Sequence, residues 1–435
     1  MGSIGLILGI MILIILAYKG VGALPLTILA GLVVIITNKM NVWSAFSDFY
    51  LTGYVGFMKN YFLIFAASSL YAKLMEESGA AIAIGYKFID WFGKKRAVTV
   101  IFLATAVLTY GGVSLFVVIF AIAPIIMVLF KEGDIPRRIS VGCLTAGASG
   151  FTMTALPGTP AITNVIPTKF LGTSLTAAPI MGIIASIMFI VMSIWYLNWE
   201  TKRLKDAGEH FTFIPGTDAS KYEIDRSKLP STITSFIPLI VIIVMLLTMK
   251  KIVTNSTTLV VLAMVVGTAL ALILNWNIIL DKKAAINNGL GGTLGALAGP
   301  CAVVGFGTIV QNAPAFQEIV SMVLGMNMDP YVKGQIATAV ISGITGSSSG
   351  GLTITLQTMA ETMKASGANL EIMHRLIAIA AGSLDSLPHS SGLFLVLGYL
   401  GLNHKEGYRF IGITTVIMPI IICVVLTSAV IMMGY

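Results

Sequence analysis

The sequence predicts an all-α polytopic membrane protein made of two inverted repeats, each with about five spans plus one re-entrant hairpin and one broken span. Three observations lead there. Of the 435 residues, 56% are hydrophobic and only 11% charged, where a soluble domain carries about 25% charge. Apolar stretches long enough to cross a bilayer, or nearly so, recur along the whole length. The two halves also echo each other in order. Ala104-Thr105-Ala106-Val107 returns as Ala337-Thr338-Ala339-Val340, Ile135-Pro136-Arg137-Arg138-Ile139 as Ile372-Met373-His374-Arg375-Leu376, and Leu156-Pro157 as Leu387-Pro388.

The apolar stretches fall at 3–18, 22–38, 56–75, 97–130, 137–165, 175–198, 231–249, 256–276, 296–323, 333–363, 372–400 and 408–434. The first lacks a basic n-region and a small-residue cleavage site, so it reads as a span and not a cleaved leader. Stretch 97–130 is interrupted at Gly111-Gly112 and 333–363 at Gly346 to Gly351. Arms of about 13–15 residues are too short to cross, which predicts two re-entrant hairpins with small residues at their tips. Stretches 137–165 and 372–400 can cross but break near the middle. Stretches 78–93 and 280–294, ahead of the hairpin units, read as helices lying in the membrane interface. Segment 199–230 mixes acids and bases and reads as a polar linker. The resulting units are a repeat over 1–198, the linker over 199–230 and a repeat over 231–435.

The net charge of +8 reflects loop bias, not nucleic-acid binding. With the start outside, the loops assigned to the cytoplasm hold about twice the Lys and Arg of the outer loops. Both termini are then outside, the linker is cytoplasmic, and the membrane is the bacterial inner membrane. An odd number of spans per half inverts the second half relative to the first. Cys143, Cys301 and Cys423 sit singly in apolar runs and suit packing. No HExxH, P-loop or EF-hand pattern is present, so neither a metal nor a cofactor is expected.

Four small-residue interruptions at membrane depth carry the functional signal. They are Tyr110 to Ser114, Leu156 to Asn164, Thr345 to Gly351 and Leu387 to Gly392. Free backbone N–H and C=O groups survive there only inside protein or beside a wet cavity. Paired breaks in two halves of one chain point to a transporter's substrate site. A helix beginning in mid-membrane presents free N–H groups and partial positive charge, which together hold an anion. The candidate substrate residues are Gly112, Ser114, Gly158, Thr159, Asn164, Ser347, Ser348, Ser349, Gly350, His389 and Ser390. Asp385 and His389 are rare intramembrane ionisable groups and the candidates for handling a coupling cation, H+ or Na+. Gly147-Ala148-Ser149-Gly150 matches the GxSG of an intramembrane protease, a remote alternative that the span count and twofold repeat oppose. A channel, facilitator or exchanger for anions is the nearer alternative.

Tyr110-Gly111-Gly112-Val113-Ser114-Leu115-Phe116, Ile135-Pro136-Arg137-Arg138 and Leu156-Pro157-Gly158-Thr159-Pro160 resemble the first half of the gluconate permease (GntP) family of the ion transporter superfamily. Leu387-Pro388-His389-Ser390-Ser391-Gly392 and Gly401-Leu402-Asn403-His404-Lys405-Glu406 resemble the ending of its hydroxybutyrate- and citrate-type members. Gluconate and serine permeases of the family carry a His-Val-Asn-Asp-type motif at that break. The resemblance implies a homodimeric, non-enzymatic symporter for a small organic anion, a hydroxycarboxylate such as 3-hydroxybutyrate or gluconate. It further implies an elevator motion of a transport domain, about 56–165 with 296–400, against a scaffold formed by the remainder.

Overall fold

The computed structural model describes residues 2–110, 114–222, 226–249 and 252–434. Among these, all regular structure is helical. Gly112, with Gly111 and Val113 of the first hairpin tip, lies outside the described residues, as do Lys250 and Lys251.

The first half runs α1 (Gly2–Tyr18), α2 (Ala23–Thr37), α3 (Leu51–Glu77), α4 (Ala80–Phe92), α5 (Ala97–Tyr110), α6 (Leu115–Gly133), α7 (Ile139–Thr145), α8 (Ile162–Leu171) and α9 (Pro179–Asp206). A π-helical stretch, Ala146–Ala155, extends α7 to the first break. The second half runs α10 (Thr232–Thr248), α11 (Ser256–Leu274), α12 (Lys282–Asn312), α13 (Pro314–Leu324), α14 (Pro330–Thr345), α15 (Ser348–Ala365), α16 (Leu370–Leu384), α17 (Ser391–Tyr399), α18 (His404–Ile411) and α19 (Met418–Met432).

The halves are related by pairing as well as by order. α1 packs on α2 and α10 on α11. α2 packs on α12 just as α11 packs on α3. Equivalent helices meet each other directly: α3 with α12, α9 with α19, and the π-helical stretch with α16. The limbs beyond the breaks are exchanged, α8 lying against α15 and α17 against α6. Self-paired and exchanged contacts of this kind are what a pseudo-twofold axis between two repeats generates.

Among the described residues, five helices are long and apolar enough to cross a membrane: Leu115–Gly133, Pro179–Asp206, Thr257–Leu274, Lys282–Asn312 and the continuous run His404–Met432. α6 is apolar on every side because protein surrounds it: thirteen of its residues are buried, the pattern of an interior helix. The hairpin arms differ from expectation. They have 14 and 19 residues in the first hairpin, 16 and 18 in the second. Each second arm runs past the apolar run to a terminal lysine, Lys131 or Lys364.

Two further expectations are corrected. Residues 282–294 are the opening turns of α12 and not an interface helix. Pro314, at the first position of α13, ends α12 instead, since the residue before a proline is driven extended: Ala313 has ψ 135°. The amphipathic counterpart of α4 is therefore α13. At the linker, α9 continues to Asp206, so Glu200 is helical. Fully buried, it pairs with Arg203 at 2.8 Å and Arg409 at 2.6 Å.

Candidate functional site

The second break is the more open of the two. α14 ends at Thr345, and the two hairpin arms touch where Gly351 faces Ser342. A Cβ on Gly351 would lie 2.2 Å from the Ser342 hydroxyl and 2.4 Å from its backbone, so only glycine fits. Ser347 caps α15 by accepting the Gly350 N–H at 3.2 Å, and the Ser347 and Ser349 hydroxyls lie 3.4 Å apart. Ser347 to Gly350 are partly exposed. Asp385, at the C-terminal end of α16, sits opposite this helix start. Its carboxylate accepts from the Ser386 hydroxyl at 3.0 Å and faces the N–H and hydroxyl of Ser348. A carboxylate of the chain itself thus occupies the positive end of α15.

His389 follows, 2% exposed. A carbonyl can only accept, so the 2.7 Å contact with Gly343 O makes its Nε2 the donor. Its Nδ1 is buried and, among the described residues, has no hydrogen-bond partner. Ser390 starts α17 in an extended conformation without capping it through its side chain. On α18, His404 donates Nε2–H to Pro388 O at 2.8 Å and lies against Phe394, ring centroids 4.7 Å apart and tilted by 56°.

The first break is filled. Gly158, at φ +80°, occupies a left-handed position that favours glycine and donates its N–H to Leu175 O at 2.8 Å. Thr159 is fully buried, and its hydroxyl accepts the Ala161 N–H at 3.4 Å. The Thr163 hydroxyl donates to Met153 O. Asn164, also fully buried, donates to Thr159 O at 2.9 Å and Leu175 O at 2.7 Å. Its amide orientation fixes Oδ1 as acceptor for His374 Nε2–H at 3.0 Å. His374 Nδ1 then accepts the Thr173 hydroxyl at 2.7 Å.

Beside it Arg375, wholly buried, bonds only to carbonyls: Thr154 O at 3.2 Å, Ala177 O at 3.0 Å and Leu175 O at 3.5 Å. A cation there satisfies the free carbonyls where the π-helical stretch stops and opposes their partial negative charge. Arg375, inside the 372–400 stretch, belongs to the protein interior. α16 crosses the first broken span here, with a Cβ on Gly382 only 2.5 Å from Thr154 Cγ2.

The structure therefore gathers Ser347, Ser348, Ser349, Gly350, His389 and Ser390 around the second hairpin tip, with Asp385 among them. Ser114 starts α6 and is partly exposed. Its neighbour Leu115 lies beside Gly392, a Cβ on which would be 4.0 Å from Leu115 Cδ2. Helix starts from both halves thus adjoin. Gly158, Thr159 and Asn164 form a second cluster, and among the described residues no hydrogen bond links it to the first.

Sequence reasoning missed His374, Arg375 and His404. The first two stand inside the echo of Ile135-Pro136-Arg137-Arg138-Ile139, and an ionisable pair within a span was the available signal. Ser149 lies in the π-helical stretch, while the three intramembrane histidines bond to Asn164, Gly343 and Pro388. Among the described residues no group of His, Cys, Asp and Glu is arranged to hold a metal. A cavity of about 500 Å³, lined by Ser69, Gly292, Gly295, Gly299, Phe394 and Tyr399, lies beside the contact between α12 and α17.

These features match known proteins along almost the whole chain. A transporter of Bacillus subtilis (strain 168), YxjC, is 32% identical over 450 residues, covering 95% of each chain. A transporter of Haemophilus influenzae is 23% identical over 353 residues, covering 79% of this chain and 78% of its own. Among solved structures, the Alcanivorax borkumensis YdaH transporter is 13% identical with a TM-score of 0.46, covering 88% of this chain and 87% of that one. The family model for the GntP family permease matches residues 1–274: the chain belongs to the GntP permease family.

Proposed function

We propose that the protein is a proton-coupled symporter for a small organic anion, a hydroxycarboxylate such as 3-hydroxybutyrate or gluconate. One observation carries the reading: the Asp385 carboxylate, held by the Ser386 hydroxyl at 3.0 Å, faces the N–H and hydroxyl of Ser348 at the start of α15. A substrate carboxylate would seek the same donors, and two carboxylates cannot share them without strong repulsion. A proton on Asp385 turns it from acceptor to donor and frees Ser348 for the substrate. Binding of anion and proton thus become linked. This favours H+ over Na+ and symport over a channel. Ser347, Ser349, Gly350 and the start of α17 at Ser390 complete the cradle, and the unpartnered Nδ1 of His389 receives a substrate hydroxyl.

Transport would proceed by an elevator motion of 56–165 with 296–400 against the remaining scaffold in a homodimer. The basic linker side would be cytoplasmic and both termini outside.

Uptake of labelled 3-hydroxybutyrate, gluconate and citrate into proteoliposomes under an imposed pH or Na+ gradient tests this. Accumulation driven by inward-acid pH gradients is expected. Accumulation that follows Na+ alone overturns proton coupling, and equilibration without accumulation makes the protein a facilitator.

A further inference from the structure

A cavity that shares no lining residue with the helix breaks lies at the basic end of α9. It has a volume of about 690 Å³ and is walled by Lys94, Lys95, Lys202, Lys205, Glu132 and Asp134, among others. Its two sides come from different elements: the base of the first hairpin, and the last turns of α9. Two of the three lining carboxylates are engaged, and the third, Asp206, is exposed at the last residue of α9. Glu132 accepts the Tyr86 hydroxyl at 3.2 Å. Asp134 accepts from His210 at 2.8 Å and from the Phe211 N–H at 3.1 Å. Lys205 reaches Gly133 O at 3.1 Å. Lys94, Lys95 and Lys202 are exposed around the opening.

The outer face of α9 shows what meets that opening. Ile180, Ile184, Ile187, Val191 and Trp195 form one exposed stripe at helical spacing. Trp195 and Trp199 stack with centroids 6.4 Å apart and are 68% and 47% exposed. From Ile180 to Trp199 the stripe rises roughly 28 Å, close to the ~30 Å hydrocarbon thickness of a bilayer. Stacked, exposed tryptophans at such a boundary mark headgroup level. Asn198 and Lys202 continue the stripe one turn beyond and line the cavity. Leu103 and Val107 of α5 are likewise exposed, and α5 packs on α9. The basic cavity is thus the continuation, at headgroup depth, of an apolar strip one leaflet long and more.

We propose that this cavity binds the phosphate headgroup of an anionic phospholipid, with Lys94, Lys95 and Lys202 around the phosphate and the acyl chains along Ile184, Ile187 and Val191. The lipid bridges the hairpin base and α9. Neither the binding nor its test depends on what the protein transports.

Thermal unfolding of the delipidated full chain in detergent, titrated with phosphatidylglycerol, phosphatidylcholine or inorganic phosphate, decides the matter. Phosphatidylglycerol is expected to raise the midpoint by roughly 3–5 °C near saturation, with no comparable rise for the other two. A Lys95→Gln/Lys202→Gln variant is expected to need at least about tenfold more lipid, since each basic residue contributes several-fold to anionic-lipid affinity. An equal rise with phosphatidylcholine, a rise with inorganic phosphate alone, or an unchanged double variant overturns the proposal. Should the double variant misfold, a photoactivatable phosphatidylglycerol on wild-type protein replaces it. Crosslinks within 94–107 and 184–206 support the site, and crosslinks confined elsewhere overturn it.

Discussion

The two broken spans occupy equivalent places in the two repeats, yet one is saturated and the other is not. At the first, Asn164 spends both donor and acceptor capacity on Thr159, Leu175 and His374, and Arg375 covers the remaining carbonyls. At the second, the Ser347 to Gly350 turn is partly exposed, Asp385 leans on a helix start and His389 keeps a buried nitrogen unpartnered. The ionisable side chains serving the first break come from the opposite half, one helix before the second break. The two breaks thus differ in hydrogen-bond saturation, and the reading proposed above makes the first a fixed joint and the second the working surface. Substitutions at the first should damage folding, and those at the second should damage transport while folding survives.

The strongest attempt to break this division is Arg375→Met. It leaves the Thr154 and Ala177 carbonyls buried without their donor, at about 1–3 kcal/mol for each orphaned group. Loss of the monodisperse peak in size-exclusion chromatography, with only partial recovery in Arg375→Lys, is expected. A well-folded Arg375→Met protein would mean the first break is not a fixed joint.

Asp385→Asn should spare the fold but abolish coupling. Loss of hydrogen bonds to a charged group corresponds to roughly 10–100-fold, read as gradient-driven accumulation in proteoliposomes. Normal accumulation in this variant would move the coupling role elsewhere.

Gly351→Ala sharpens the contrast within the second hairpin. The new methyl collides with Ser342, a strain of about 1–3 kcal/mol, so a lower melting temperature and weakened uptake should appear together.

The smallest effect concerns the linker. Hydrogen bonds from His210 and the Phe211 N–H hold the Asp134 carboxyl below its ordinary range. A depressed carboxyl stabilises docking above its unfolded pKa of about 3.9 and loses that contribution as pH falls through the folded value. Hydrogen exchange at 207–222 should stay slow near neutrality and accelerate only below about pH 4, or at all pH values in Asp134→Asn.

Much of the architecture was legible because membrane burial leaves a coarse signature. The spans, both hairpins, both broken spans and the twofold relation followed from apolar run length, small-residue interruptions and three short echoes. Boundaries were less legible. The glycine-rich opening of α12 carries too little hydropathy to be recognised as the start of a long helix, and Pro314 was hidden inside an apolar run. At the site, the serine-rich second tip was read from composition alone. Thr159 and Asn164 lie at the first break, but their hydrogen bonds are consumed internally, which composition cannot express. Arg375 lies inside the 372–400 stretch, but run length cannot express that a fork-shaped guanidinium facing the Thr154, Leu175 and Ala177 carbonyls is at home in the interior.

That placement of Arg375 also has a bearing on biogenesis. The carbonyls of Thr154 and Ala177 emerge from the ribosome long before their partner does, and at ordinary synthesis rates the interval is roughly 10–40 s. During it the first repeat must wait in the bilayer with its broken span unfinished, held by water, lipid headgroups or the insertion machinery. The first half on its own is therefore an incomplete object, and maturation of both halves is a single late event set by the arrival of residue 375.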